Sequence, residues 1–567
     1  MSSPDEPARV VSRVSVRTDK VDIEQAEKSG MSTPPGHEHV EGNALLVDKQ
    51  GQIRLLPIPS DDPNDPLNFT RWEKFGIIVC CCFYSLLSLS VSGGLGAIIG
   101  TFFAMYEPQG YSVEQITYLI TVPSLAIGLG NFIILPLALA VGRRPVFLGS
   151  SLVLLATTIA AALQNSYEGH LAARIVQGLA TGASESLLPL MLTEITFLHQ
   201  RSLVFGLYWM MQSVFSNVLN MVSGYIVTNL GWRWYYWVFA ITIGAGFCMV
   251  FFLGFETRYS RPATSVDGTI IMTDEFGVTH VLGDDEAQEY LDQQRALGND
   301  LPRIAGQSSA EDFGPRTSYV QKIKPWSTPH AHPFRMIGLS WLRMVQCLTS
   351  PAIIYAILTS SITLGINIDE SLTYGAVLSA YGWSSSSLGL INIGGIIGAI
   401  VAALYSAFIG DKFVIWMAKR NNGIHTPEHR LLVLVPPALY GFAMIFVYGW
   451  TAVGASSYWG TLVSYTIFQS TFVVVLIVSS SFAAEACAKH PGPALVIVVG
   501  SKNIISFGLT NTLTPLMNHG SYHYAFGVLA GIFGAVFVLG IPIYFFNPMW
   551  RRYIARMEKR WGVQTTD

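Results

Sequence analysis

The chain has 567 residues, of which 51% are hydrophobic and only 13% are charged, and its formal net charge is −3. A soluble protein of this length would need about twice that share of charged residues to cover its surface. The small negative net charge also argues against a nucleic-acid partner. The composition therefore predicts a protein that crosses a membrane several times.

The N-terminal segment, residues 1–74, is polar and rich in Ser, Pro and acidic residues. Its start has no apolar run, so we expect a disordered cytoplasmic tail rather than a signal peptide. His37-Glu38-His39 lies in this tail and lacks the spacing of a zinc-binding helix, so no metal site is expected. The six cysteines suggest no disulfide framework.

Twelve apolar runs follow, each near the roughly 20 residues that a membrane helix needs. In chain order, spans 1 to 12 are 75–103, 116–140, 146–163, 171–197, 203–230, 234–254, 351–376, 386–409, 431–450, 459–482, 493–517 and 522–546. We predict an all-α membrane protein with 12 transmembrane helices in two six-helix bundles, at residues 75–255 and 351–546. A central loop, 256–350, joins the bundles, and a tail, 547–567, ends the chain.

Lys and Arg predict the orientation, because short cytoplasmic loops carry most of the positive charge. The connections after spans 2, 4, 8 and 10 and the C-terminal tail are rich in basic residues. The connections after the odd-numbered spans carry only Arg233. Both termini and the central loop are therefore expected to be cytoplasmic.

Two six-helix halves around a central cavity are the plan of a secondary transporter. No Walker A sequence indicates ATP use, no filter segment indicates a channel, and no catalytic pair indicates an enzyme. We expect no cofactor, and the expected partners are a small organic solute, protons and the lipid bilayer. We expect the protein to be a monomer.

Three acids lie inside predicted spans, where a charge costs at least about 2.5–3.5 kcal/mol and is a candidate for function. Glu185, halfway along span 4, could bind a cation, carry a proton or only pair with another helix. Asp369 and Glu370 are adjacent in the outer half of span 7. They point about 100° apart, so they need not face the same cavity. Four aromatic residues, Tyr208, Trp209, Tyr374 and Phe468, could stack on a substrate or hold a cation over a ring, although most aromatic residues in membrane helices serve packing.

Two basic residues and one amide complete the set of candidates. Lys502, near the middle of span 11, could neutralise Glu185 or Asp369, contact an anionic substrate, or serve structural charge pairing. Arg174, near the outer end of span 4, could be a snorkelling or capping arginine. Asn220 on span 5 could line the cavity or hydrogen-bond to a neighbouring helix.

Several motifs occur in a fixed order. They are Asp62–Trp72, Gly142-Arg143-Arg144-Pro145, Arg174-Ile175-Val176-Gln177-Gly178, Gly231-Trp232-Arg233-Trp234 and Glu256-Thr257-Arg258. Together they resemble the major facilitator superfamily, in particular its fungal twelve-helix drug:proton antiporter-like branch. Residues 185–201 are similar to the clade that contains the yeast histidinol/polyamine transporter.

This resemblance implies roles for four residues. Arg174 would take part in proton coupling, and Gly142, Arg143 and Arg144 would form a cytoplasmic gate motif. The alternative for the two arginines of the gate motif is that they only anchor the topology.

Two positions depart from the family pattern. Leu139 replaces the acid expected three residues before Gly142, which removes a charge relay on that side. Late in span 5, Leu219-Asn220 and Ser223-Gly224 replace a Gly-Pro and Gly-Gly pattern. The second departure weakens close helix packing and argues against proton-antiport drug efflux.

We therefore predict a proton-coupled secondary transporter of the plasma membrane that moves a small organic solute. The buried acids favour an organic cation of polyamine type, because they could neutralise it where water cannot. One alternative is an efflux pump for drugs, toxins or a secondary metabolite. A remote alternative is a transceptor or scaffold that signals through the central loop without transport.

Overall fold

The computed structural model describes residues 60, 62–259, 264–266, 269–273, 279–281, 303–304, 316–330, 332–420, 426–453, 457–487 and 491–561. Residues 1–59 of the predicted tail lie outside this range. Residues 62–70, which the sequence analysis assigns to that tail, fold against the rest of the protein. They contain a 3₁₀ turn at Pro66–Asn68.

Helices form almost all of the first half. In the described residues they are α1 (Arg71–Gly93), α2 (Ile99–Tyr106), α3 (Val113–Val141), α4 (Arg143–Leu163), α5 (Tyr167–Thr181), α6 (Ala183–Ile195), α7 (Leu198–Leu230) and α8 (Trp232–Leu253). Polar caps define several helix starts. Thr70 and Glu73 form a capping box at α1, and Ser112 and Gln115 form one at α3.

Two predicted spans of the first half are broken rather than continuous. Span 1 consists of α1 and α2, with a 3₁₀ turn at Gly96–Ile98 between them. A Cβ on Gly94 would lie 2.6 Å from both Asn220 Oδ1 and Tyr235 Oη, so this break requires glycine. Span 4 is divided between α5 and α6 at Gly182.

The second half is also helical in the part of the chain that the structure describes. Its helices are α9 (Tyr319–Lys322), α10 (Pro333–Cys347), α11 (Pro351–Ala380), α12 (Asn392–Leu404), α13 (Asp411–Arg420), α14 (His429–Val433), α15 (Val435–Thr451), α16 (Tyr458–Ala486), α17 (Pro491–Thr510), α18 (Leu513–Val538) and α19 (Gly540–Trp561). Helix α18 contains a kink at Gly520 and Ser521, where Ser521 has a φ of 70°. This kink lies between predicted spans 11 and 12.

The central loop adds a small sheet that the sequence analysis does not predict. Its strands are β1 (Thr264–Val266), β2 (Thr269–Thr273), β3 (Thr279–Val281) and β4 (Arg303–Ile304), in the order β3-β2-β1-β4. The β1–β2 and β2–β3 pairs are antiparallel, with Ile271 opposite both Thr264 and Val281, and β1–β4 is parallel. The acidic patch Gly283–Glu286 lies outside the described residues.

Two apolar cores follow the two halves, and each one takes in residues from the other half. The first contains mainly residues 69–255 but also Tyr374 and Tyr465. The second contains mainly residues 336–537 but also Leu135 and Leu139. The halves therefore pack directly against each other along α3 and α17 and along α7 and α12.

Ten helical segments in the described residues are long and apolar enough to cross a membrane. Predicted spans 4 and 5 are not among them. Span 4 is divided between the 15 residues of α5 and the 13 residues of α6, each too short to cross alone. The structure thus supports a multi-pass, helical membrane protein, and the count of twelve remains a prediction.

Candidate functional site

A buried ion pair links the two halves of the protein. Lys502 Nζ on α17 lies 2.7 Å from Glu185 Oε1 on α6, and both side chains are at most 5% exposed. Asn503 Nδ2 donates to the other carboxylate oxygen at 2.6 Å, and Asn131 Nδ2 on α3 approaches it at 3.4 Å. Both oxygens of Glu185 therefore have partners, and Lys502 balances its charge.

Small residues bring this pair together. A Cβ on Gly128 of α3 would lie 2.7 Å from the carbonyl oxygen of Gly500 on α17. Only glycine allows α3 and α17 to approach so closely. Ser124 Oγ on α3 also donates to Asn503 Oδ1 on α17 at 3.4 Å. Of the two acids that the sequence analysis considers for Lys502, the structure places Glu185 beside it.

Asp369 and Glu370 on α11 are in a different situation. Both are fully buried, and none of their four carboxylate oxygens has a hydrogen-bond partner among the described residues. No basic side chain of the described chain forms an ion pair with either. A carboxylate without a partner is costly in an apolar interior, so this pair is a strong candidate for binding a proton or a cation.

Arg174 has a structural position in this conformation. Its side chain is fully buried and donates to the carbonyl oxygens of Val91, at 2.6 Å, and of Ser92. It also donates to Leu119 O at 3.0 Å and Gln177 Oε1 at 2.7 Å. These contacts satisfy the last carbonyls of α1 at the break in span 1, so Arg174 caps a helix end.

Asn220 lies at the same break. Its Oδ1 atom is buried beside Gly94 and has no hydrogen-bond partner among the described residues. A buried amide oxygen without a hydrogen-bond donor destabilises the fold unless a ligand or a water molecule donates to it. Asn220 thus remains a candidate for the binding site.

The gate motif is built around Gly142, where the backbone has a φ of 124°. Arg143 pairs with Glu194 at 2.6 Å, and both side chains are at most 5% exposed. The backbone nitrogens of Arg143 and Arg144 donate to the two oxygens of Glu256 at 3.0 and 3.2 Å. Glu194 was not among the candidates from the sequence. An acid at the end of an apolar run could have indicated a buried ion pair with Arg143.

Arg144 connects the gate motif to the central loop. Its guanidinium donates to the carbonyls of Phe251 and Gly254 at the end of α8. It also donates to the carbonyls of Ile323 and Lys324 in the central loop. Arg144 is therefore buried by protein contacts and does more than anchor the topology.

The segment before α1 closes over the same end of the bundle. Tyr259 Oη donates to Asp62 Oδ2 at 3.0 Å, and Thr317 N donates to Asn64 Oδ1 at 2.8 Å. Burial, together with the hydrogen bond to Asp62, raises the pKa of Tyr259 to about 12. Its hydroxyl therefore remains a donor at neutral pH and holds the motif at Asp62–Trp72 in place.

A cavity lies at the start of α8, away from these groups. It measures about 510 Å³ and is lined by Leu230, Gly231, Trp232, Arg233, Trp234, Trp237 and Ile241. None of the buried acids borders it. Among the described residues, no three His, Cys, Asp or Glu side chains could hold a metal ion together. Away from this cavity, the charged groups of the interior include the Glu185–Lys502 pair and the two acids of α11, besides Arg174 and the Arg143–Glu194 pair.

These features define a class of protein. Two helical halves that meet at a buried ion pair, with further acids inside the membrane, are typical of a carrier that exposes a central site alternately. The model of the Major Facilitator Superfamily matches residues 82–424, more than half of the sequence. The chain belongs to this superfamily.

Relatives and solved structures agree with this assignment. The chain is 24% identical over 557 residues to Protein HOL1 of Saccharomyces cerevisiae, covering 91% of this chain and 92% of the relative. It is 23% identical over 531 residues to the efflux pump radE of Floropilus chiversii, covering 91% and 89%. The proton:xylose symporter XylE has a similar fold, with a TM-score of 0.56 at 14% identity, covering 84% of this chain and 96% of XylE. The protein is therefore a membrane transporter of small solutes and not an enzyme.

Proposed function

We propose that the protein is a proton-coupled carrier of a small organic cation in the plasma membrane. The observation that carries this proposal is the Glu185–Lys502 pair, which joins the two halves at 2.7 Å. Alternating access requires the halves to move apart on one side. Protonation of Glu185 removes one charge of the pair, so proton binding weakens the link between the halves.

The preference for a cation follows from the balance of buried charge. Lys502 neutralises Glu185, and backbone carbonyls solvate Arg174, whereas Asp369 and Glu370 have no positive partner in the described chain. An anionic substrate would meet uncompensated negative charge there. A cationic substrate would supply the missing partner.

The finer family placement belongs to the same proposal. The motif order supports the fungal drug:proton antiporter-like branch, twelve transmembrane helices and cytoplasmic termini. The similarity to Protein HOL1 over nearly the whole chain is consistent with the clade suggested by residues 185–201. Epitope tags at both termini should react with antibody only after the plasma membrane of intact cells is permeabilised.

Efflux of a drug or secondary metabolite is the second candidate. A relative named as an efflux pump aligns over 91% of the chain, which favours it. The loss of the Gly-Pro pattern at Leu219-Asn220 argues against it. Cells that lack the protein should take up less organic cation if the first proposal holds, and should become more sensitive to a toxin if the second holds.

The test is spermidine flux into proteoliposomes with and without an imposed pH gradient. We expect the native protein to accumulate spermidine in response to the gradient, and the Glu185→Gln variant to lose this response. Glu107→Gln, an exposed acid after α2, is the matched control and should behave as the native protein. Absence of spermidine flux in every protein would reject the organic-cation proposal and favour efflux of a larger, less charged compound.

A further inference from the structure

We propose that Glu370, with the rings of Tyr374 and Tyr465, binds an N–H-bearing ammonium group of the substrate, and that Glu185 does not. This inference rests on the proposed organic-cation transport and assigns its binding site. It separates two roles that the sequence leaves together: Glu185 links the halves, and Glu370 recognises the cargo.

Glu185 is unsuitable for a cationic cargo in this conformation. Its Oε1 atom is occupied by Lys502 and its Oε2 atom by Asn503, at 2.7 and 2.6 Å. A second cation placed there would lie next to the Lys502 ammonium group in a medium that screens charge poorly. Like charges at such a distance repel much more strongly than in water, so the site is already filled.

The α11 acids lack a partner of one particular kind. All four of their oxygens are hydrogen-bond acceptors, and no donor among the described residues reaches them. An ionised carboxylate accepts hydrogen bonds but cannot donate them, so a ligand that binds this form must supply N–H or O–H donors. A positive donor satisfies both the charge and the hydrogen bonds. A primary or secondary ammonium group has these properties, whereas a quaternary ammonium group has the charge without the donors.

The position of Glu370 distinguishes it from its neighbour Asp369. Tyr374 is one helical turn after Glu370 on the same face of α11, and its ring lies 6.0 Å from the ring of Tyr465 on α16. Aromatic rings beside a carboxylate are a favourable environment for an ammonium group.

These rings also lie at the interface between the halves. Tyr374 and Tyr465 pack in the core of the first half, although both belong to the second half of the chain. Thr373, one turn after Asp369, contacts Tyr448 of the second-half core at 3.0 Å, and the Tyr448 hydroxyl also donates to the backbone carbonyl of Glu370 at 3.4 Å. Glu370 is therefore on the face of α11 that a moving first half would uncover.

The break in span 1 covers this face. A Cβ on Gly96 would lie 2.7 Å from the carbonyl oxygen of Ser371, the residue after Glu370. Asn220 Oδ1, another acceptor without a partner, lies beside Gly94 in the same break. Separation of span 1 from α11 would open a route to Glu370, which is the motion that alternating access requires.

The test uses 1,4-diaminobutane and its bis(trimethylammonium) analogue, which has the same chain length and charge but no N–H donors. Their binding to the purified full-length protein is measured as a ligand-dependent rise of the unfolding temperature over a concentration series. For the native protein we expect the diamine to bind at least about tenfold more tightly than the quaternary analogue, since a charged hydrogen bond is worth a decade or more. Equal affinity for both compounds would overturn the inference, and this arm needs no variant.

Three variants of the buried acids and two variants of Tyr465 assign the site. Glu370→Gln should weaken diamine binding at least about tenfold, whereas Asp369→Asn and Glu185→Gln should change it by less than about threefold. Tyr465→Phe should retain binding and Tyr465→Leu should weaken it, because the ring and not the hydroxyl holds the cation. Loss of binding in Asp369→Asn or Glu185→Gln, with retention in Glu370→Gln, would overturn the assignment.

Failure of this inference can be distinguished from failure of the proposed function. Diamine binding that depends on Glu370, without flux driven by a pH gradient, would support the site and reject proton coupling. Gradient-driven flux of spermidine that is unchanged by Glu370→Gln would support the transport proposal and reject the site. A native protein that binds neither compound would reject the site as well.

Discussion

At the scale of single residues, the same residue type has different roles in different surroundings. Glu185 has a basic partner and two amide partners, whereas Glu370 has none among the described residues. The first is therefore suited to hold two helices together, and the second is suited to accept a ligand. Arg174 differs from both, because three backbone carbonyls and the Gln177 side chain accept its hydrogen bonds.

The Glu185–Lys502 pair should contribute strongly to stability when one partner is removed. Lys502→Met leaves Glu185 buried without its counter-charge, which typically costs about 3–5 kcal/mol. We expect a clear fall in the unfolding temperature of the purified protein. The double variant Glu185→Gln/Lys502→Met should recover most of it, and a double variant no more stable than Lys502→Met would contradict the pairing.

Arg174 should behave as a helix cap rather than as a proton carrier. Arg174→Lys keeps the charge but loses the planar fork that reaches Val91, Ser92 and Leu119 at once. Each lost charged hydrogen bond costs about 1.5–3 kcal/mol, so the unfolding temperature should fall. The transport that remains should still respond to a pH gradient. A stable variant that has lost this response would instead support the coupling role implied by the family.

At the scale of elements, residues 316–330 of the central loop belong structurally to the first half. We call residues 316–330 the strap. Arg316 and Lys322 pair with Glu73 at the start of α1, and His330 N donates to Ala140 O at the end of α3. The strap then leads into α10, which packs against both α3 and α17. Helix α10 is therefore the described segment of the loop that contacts both halves.

Gly142 should be required for docking of the strap. An alanine there would meet a φ of 124° and would clash with Ser327 Oγ, which donates to Val141 O at 2.9 Å. We expect Gly142→Ala to release the strap and to speed tryptic cleavage after Lys322, since Lys324 precedes a proline and is resistant. Gly149→Ala, where no other group lies within 4 Å, is the control. Unchanged cleavage in Gly142→Ala would show that the strap does not depend on this turn.

At the scale of the whole molecule, the contact between α3 and α17 determines how closely the halves approach. Gly128→Leu would place a side chain against the backbone of Gly500, and such overpacking costs about 1–3 kcal/mol in this conformation. The population of this conformation relative to the others should fall by roughly ten- to a hundredfold. We expect slower spermidine flux with an intact fold, seen as a cooperative unfolding transition. Gly531→Leu, with open space around it, should transport normally.

Much of the fold was predictable because membrane helices leave long apolar runs in a sequence. The predicted gap between spans 6 and 7 agrees with the end of α8 and the start of α11. The predicted gap between spans 11 and 12 agrees with the kink in α18. The divisions inside spans 1 and 4 were not predicted, because hydropathy does not sense the tertiary contacts that Gly94 makes. The strands of the central loop were missed because each is only two to five residues long, too short for a recognisable alternation of apolar and polar residues.

The sequence by itself determined the membrane class, the position of nearly all apolar segments and the identity of the rare charges inside them. These properties depend on local composition, since an apolar run must be buried or face lipid wherever it lies. Only the tertiary structure decided which charges meet. Glu185 and Lys502 are 317 residues apart along the chain, and their contact depends on the packing of α3, α6 and α17. The same packing leaves the Glu370 carboxylate without a hydrogen-bond partner in the described part of the chain, because burial and pairing depend on neighbouring helices that no local pattern records.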